Sequence, residues 1–102
     1  MRIVWTRLAL SRLEAHARHI AADRPGTAVA WAGGAFDAVA SLARFPRRGR
    51  IVPEVGRADV REVLYGPWRI IYRLEPKRIA ILTVRHARQR LDAEELEGTG
   101  TP

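Results

Sequence analysis

Cysteine is missing from this 102-residue chain, and lysine nearly so: of its 18 basic residues only Lys77 is not arginine. Without thiols there is no disulfide framework, no thiolate nucleophile and no cysteine-based zinc site. Three histidines dispersed along the chain, His16, His19 and His86, do not replace them, so neither a metal nor a cofactor is expected. A phosphate-cradling glycine loop is also lacking, because Gly33-Gly34 has neither the spacing nor the lysine of one. Ser11 and Ser41 have no neighbouring base in sequence and no nucleophile-elbow context, which leaves a hydrolase triad without support. Long apolar runs are absent too. The stretch from Met1 to His19 is interrupted by charge every few residues, unlike a signal peptide or a membrane span. A cytoplasmic location without a membrane partner is the expectation.

What the chain does have is positive charge, +7 at neutral pH, carried by guanidinium groups that stay ionised and grip phosphate or carboxylate with a planar fork. A nucleic acid or a strongly acidic protein is the favoured class of partner. At this length a single hydrophobic core is expected, in one domain over residues 1–97, with 98–102 as a flexible tail.

The pattern divides into a helical half and a sheet half. Arg2 to Trp5 reads as a strand, and Thr6 as the N-cap of a helix over Arg7 to Asp23, with Ala9, Leu13, Ala17, Ile20 and Ala21 on one stripe. Arg24-Pro25-Gly26 breaks it, and a second helix runs from about Thr27 to Ala43. Gly33 and Gly34 in its middle each cost about 1 kcal/mol relative to alanine. Close approach of the first helix or of a partner chain would compensate, or a local kink. Phe45-Pro46 ends this helix, and Arg47-Arg48-Gly49-Arg50 forms a basic turn. Strands follow at Ile51-Val52, Val60 to Leu64, Trp68 to Leu74 and Arg78 to Arg85, with turns at Tyr65-Gly66-Pro67 and Glu75-Pro76-Lys77. In the third of these, Trp68, Ile70, Tyr72 and Leu74 share one face while Arg69, Ile71 and Arg73 share the other. A short helix is expected within Ala87 to Glu97. The fold class is α+β, a small twisted antiparallel sheet packed against an N-terminal helical hairpin, in the order β-α-α-β-β-β with a short C-terminal helix.

Leu42 to Arg50 (LARFPRRGR), Val52-Pro53-Glu54, Val60 to Val63 (VREV), Trp68 to Arg73 (WRIIYR) and Val84 to Arg88 (VRHAR) together resemble the RelE/ParE superfamily of bacterial toxins, over nearly the whole chain. The resemblance implies a toxin of a type II toxin-antitoxin pair, neutralised by a cognate antitoxin in a hetero-oligomeric complex. It further implies that the antitoxin wraps the hairpin and the sheet groove, with Leu13, Ala17, Ile20, Trp31, Phe36 and Val39 as the candidate contacts. Relatives of the RelE branch cut messenger RNA on the ribosome, whereas those of the ParE branch poison DNA gyrase and need no catalytic residue. The lysines that nucleases often carry on the preceding strand are replaced here by Arg61 and Glu62, and Ala87 to Leu96 holds no aromatic residue where nucleases often have a tyrosine. These departures favour the ParE branch, with gyrase as target and with Arg61, Arg69, Arg73, Arg85, Arg88 and Arg90 as candidate target or nucleic-acid contacts.

The alternative is a ribosome-dependent endoribonuclease with ribosome and messenger as partners. Its candidate catalytic residues are Arg69, Arg73, Arg85, His86 and Arg88, since cleavage by a 2′-hydroxyl needs a base, an acid and cations at the phosphate. Histidine titrates near neutrality and is eligible. In the competing reading His86 only ends a strand and bonds a carbonyl or a carboxylate such as Glu62. An inactive relative that serves only as a binding partner is the third possibility. Trp5, Trp31 and Trp68 are read as core or interface residues before stacking platforms. The acidic run Asp92, Glu94, Glu95 and Glu97 is read either as a solvated helix face or as a mask folded back on the basic sheet.

Overall fold

The computed structural model describes residues 1–97; the tail at 98–102 lies outside them. Strand β1 (Arg2–Trp5) leads into helix α1 (Arg7–Ala21), and the Thr6 hydroxyl accepts the Ala9 amide at 3.3 Å as its N-cap while donating to the Ile81 carbonyl at 2.8 Å. One side chain thus starts the helix and pins it to a carbonyl 75 positions further along the chain. Helix α2 (Pro25–Ala40) begins at the proline that was read as a breaker, because a fixed φ and a missing amide suit the first helical position. It ends in a single 3₁₀ turn, Ser41–Ala43.

The sheet contains β2 (Arg50–Ile51), β3 (Val60–Tyr65), β4 (Trp68–Leu74) and β5 (Arg78–His86), in the spatial order β1-β5-β4-β3-β2. The antiparallel meander is as expected, but β1 pairs parallel with β5, so the sheet is mixed. The intervening helical hairpin carries the chain back across the sheet, which lets the first strand lie beside the last in the same direction.

Both faces of the sheet are apolar. Toward the helices, Ile70, Tyr72, Ile79, Ile81 and Val84 pack against Ala9, Leu13, Ala35, Val39 and Leu42. On the opposite face Val52, Val60, Ile71, Ala80 and Leu82 form a second cluster, covered by Val55, Leu91 and Leu96. The alternation slips once. Ile71 pairs with Thr83 but Tyr72 with Ile81, so β5 carries an extra residue at Leu82 and turns both Leu82 and Thr83 to the outer face.

Gly34 is explained by the sheet rather than by α1. A Cβ there would sit 2.1 Å from the Tyr65 hydroxyl, which donates to the Trp31 carbonyl at 2.9 Å. Gly33 has open space beside it. The C-terminal helix shrinks to one 3₁₀ turn, Ala93–Leu96, closed by a capping box between Asp92 and Glu95. The segment spreads across the sheet instead of coiling, because Leu91 and Leu96 have an apolar face to cover and Glu95 a half-buried arginine to reach. No helix among the described residues is long and apolar enough to cross a membrane.

Candidate functional site: a sheet whose arginines are already paired

Arg69 stands on the outer face of β4 and is only 5 % exposed. Its Nε donates to Glu62 Oε1 at 2.6 Å and its Nη2 to Glu62 Oε2 at 3.0 Å. Both terminal nitrogens also reach Glu54, at 2.7 and 2.9 Å. All the directional capacity of this guanidinium that faces the protein is therefore spent on carboxylates. Its hydrogen bonds to Glu54 and Glu62 drive its pKa further up, and the same contact, first of all its hydrogen bond, holds Glu54 down to about 2. Glu62, fully buried, takes a further bond from Arg50 Nε at 3.1 Å.

The same arrangement recurs along the sheet. Arg85 on β5 donates from Nε and Nη2 to Glu95, itself 3 % exposed, and Thr83 Oγ1 donates to that carboxylate at 2.9 Å. Arg12 comes from α1 to within 3.8 Å of it. Burial by itself pushes the Glu95 carboxyl up, yet the bonds from Arg85 and Thr83 outweigh it and leave it below the ordinary carboxylate range. The acidic run thus acts through Glu95 as a mask on the basic sheet. Arg73 is held by Glu75 at 2.6 Å and donates to the Glu97 carbonyl at 3.1 Å. Arg61 spends its guanidinium on the backbone carbonyls of Ala58, at 2.9 Å, and Gly49, at 3.0 Å. Of the six candidate contact arginines only Arg88 and Arg90 are exposed, and neither has a carboxylate partner among the described residues.

His86 ends β5 with its ring 5.5 Å from that of Trp68, and its Nδ1 accepts the Arg88 amide at 3.3 Å. Glu62, offered as its partner from the sequence, is on Arg69 instead. The three histidines prove to be neighbours: the His16 ring lies 4.1 Å from Trp68 and 6.2 Å from His19, and burial, then His19 and His86, lower the His16 pKa. They form no group able to hold a metal ion among the described residues.

The candidate antitoxin contacts separate by burial. Leu13 and Val39 are core residues, 2 % and 1 % exposed, whereas Ala17, Ile20 and Trp31 are half-buried and Phe36 is exposed. Ala17 lines a groove along the outside of the hairpin with Ala21, Ala28, Val29 and Ala32, a surface of small apolar side chains. What the sequence did not reveal is which arginines the carboxylates hold: Glu54 and Glu62 on Arg69, and Glu95 on Arg85. The capping-box spacing of Asp92 and Glu95 is a local signal for one of them, whereas Glu62 meets Arg69 through the pairing of β3 with β4, and Glu54 from the turn between β2 and β3, neither of which a local pattern records.

Comparison with curated proteins returns no match. Among solved structures, a chain described as the chromosomal ParDE TA system from P. aeruginosa superposes with a TM-score of 0.72 at 25 % identity, covering 84 % of this chain and 95 % of that one. The family described as the ParE toxin of the type II toxin-antitoxin system, parDE, matches residues 3–91. With the mixed sheet, the helical hairpin and this match over most of its length, the chain belongs to the ParE toxin family of type II toxin-antitoxin systems.

Proposed function

We propose that the chain is a cytoplasmic toxin that inhibits DNA gyrase by binding it, and that a cognate antitoxin neutralises it by direct contact. The observation that carries the choice against messenger cleavage is the state of Arg69. A nuclease needs cations at the scissile phosphate, and an arginine 5 % exposed, with four of its five N–H donors already given to two carboxylates, is poorly placed to serve as one. Arg85 and Arg73 are committed in the same way. His86 lies against Trp68 with its Nδ1 already accepting a backbone amide, which leaves only Nε2 for proton transfer. Target contact then falls to the exposed Arg88 and Arg90. Antitoxin contact falls to the apolar hairpin groove with Ala17, and to Ile20, Trp31 and Phe36.

The test is a paired assay on purified protein: gyrase supercoiling with trapping of cleavage complexes, and messenger cleavage on programmed ribosomes, each with and without antitoxin. Trapped gyrase with intact messenger is the expected result. Cut messenger that is lost in His86→Ala, with gyrase untouched, would overturn it.

A further inference from the structure

With the sheet arginines neutralised from within, the net positive charge has to emerge elsewhere. It emerges in part at the turn that follows α2. Arg44, Arg47 and Arg48 are exposed there and have no carboxylate partner among the described residues. Between them Phe45 stands 58 % exposed, an unusual state for a phenylalanine on a small protein. These residues, with Met1, Pro46, Leu74 and Glu75, line a groove of about 620 Å³ between this turn and the β4-β5 turn. Its floor is apolar and its rim cationic. Glu75, the one carboxylate in it, is tied to Arg73 and Arg78 and offers no free negative charge to cancel that rim.

We infer that this groove seats an extended segment of the antitoxin in which carboxylates flank an apolar side chain, the side chain entering beside Phe45 and the carboxylates meeting Arg44 and Arg47. The inference rests on the toxin-antitoxin reading given above and adds to it a second contact, charged where the hairpin groove is apolar. Charge complementarity selects the occupant. An apolar concavity between free guanidinium groups fits neither a neutral helix nor a basic surface. A nucleic acid fits less well than an acidic peptide, for two reasons. The Arg44 guanidinium lies 5.7 Å from the centre of the Phe45 ring and covers a face on which a base would stack. Arg48 is held by the Ser41 hydroxyl, 2.8 Å from its Nε, so it cannot follow a phosphate backbone freely. The hairpin groove differs in chemistry, since Arg18 is its only charged lining residue.

The experiment titrates the antitoxin into the full chain at low and high salt, for the wild type, Arg44→Glu/Arg47→Glu, Phe45→Ala, and a control of equal charge change on the helices, Arg7→Glu/Arg24→Glu. The rim variant should bind about tenfold more weakly at low salt and lose most of the salt dependence, with the control changing by less than about threefold. Phe45→Ala should weaken binding about tenfold at both salt concentrations. All four residues substituted in the two double variants are exposed, so circular dichroism should find both folded. Equal weakening by rim and control variants would overturn the inference, because net charge alone would then explain it. Full affinity in the rim variant would overturn it while leaving the toxin reading intact. A wild type that binds no antitoxin would sink both. Binding of a twelve-nucleotide single-stranded RNA by the wild type, lost in the rim variant, would give the groove to nucleic acid instead.

Discussion

Nε of Arg69 lies 2.6 Å from Oε1 of Glu62, a diagonal neighbour on the adjoining strand, and both side chains are out of reach of water. Such a pair is more costly to break than to replace. Removing the Glu62 charge leaves the buried Arg69 answered only by the half-exposed Glu54, and a matched apolar pair avoids most of the desolvation.

Glu62→Gln is therefore expected to cost about 3 kcal/mol of unfolding free energy, and Glu62→Leu/Arg69→Met less than that. Glu54→Gln should cost under about 1 kcal/mol, since its side chain is 47 % exposed. Urea denaturation of the three variants checks the order. A double variant worse than Glu62→Gln would contradict the argument.

Gly34→Ala should destabilise by about 1–3 kcal/mol, despite the better helix propensity of alanine, because its Cβ would meet the Tyr65 hydroxyl at 2.1 Å. In a Tyr65→Phe background the closest clash is gone, and the same change should cost less. Gly49→Ala should be worse than Gly34→Ala. Its Cβ would meet the Glu62 carbonyl at 2.6 Å, and backbone cannot turn aside as a side chain can. Thermal melts of the four proteins test these statements.

Acid should weaken the fold in two separate windows. His16, whose pKa is lowered in the folded chain, stabilises it fully only while neutral, so that contribution falls away as pH drops below 6.5. His19 and His86 oppose its protonation, and Arg12 lines the same cleft. Glu54, with a pKa moved from 4.5 to about 2, contributes above 4.5 and loses its contribution between 4.5 and 2. His16→Phe should flatten the first slope, and Glu54→Gln should reduce the second, where the lowered carboxyls of Glu75 and Glu95 also contribute.

Glu95→Gln removes the charge that answers Arg85, and should release the segment from Leu91 to Glu97 without unfolding β5. Hydrogen exchange should quicken in that segment while the β5 core stays protected. A hydrophobic dye should bind more strongly, because Leu91 and Leu96 would no longer cover Ile71, Ala80 and Leu82. Unchanged exchange would show that the leucines hold the segment by themselves.

Alternation made the meander legible: Trp68, Ile70, Tyr72 and Leu74 do face the helices, and Arg69, Ile71 and Arg73 the other side. Thr6 announced the first helix. The parallel pairing of β1 was hidden, since four residues with no turn of their own carry no register. Pairing of the arginines was hidden for a different reason. Arg69 and Glu54 are 15 positions apart and Arg85 and Glu95 are 10 apart, and only the folded sheet and its covering segment bring them together. A list of exposed guanidinium groups drawn from composition therefore overcounted the free ones. It also gave the Arg44 to Arg48 turn less weight than its unpaired charge warrants.

The parallel partnership of the first strand with the last also sets an order of events during synthesis. Arg2 pairs with Arg78 and Trp5 with Ile81, and the Thr6 hydroxyl has no carbonyl to meet until Ile81 and Leu82 exist. A ribosome making this chain thus releases a strand and a helical hairpin that have nothing to close upon until Leu82 has been added. The cell therefore meets no finished toxin surface before β5 has been made.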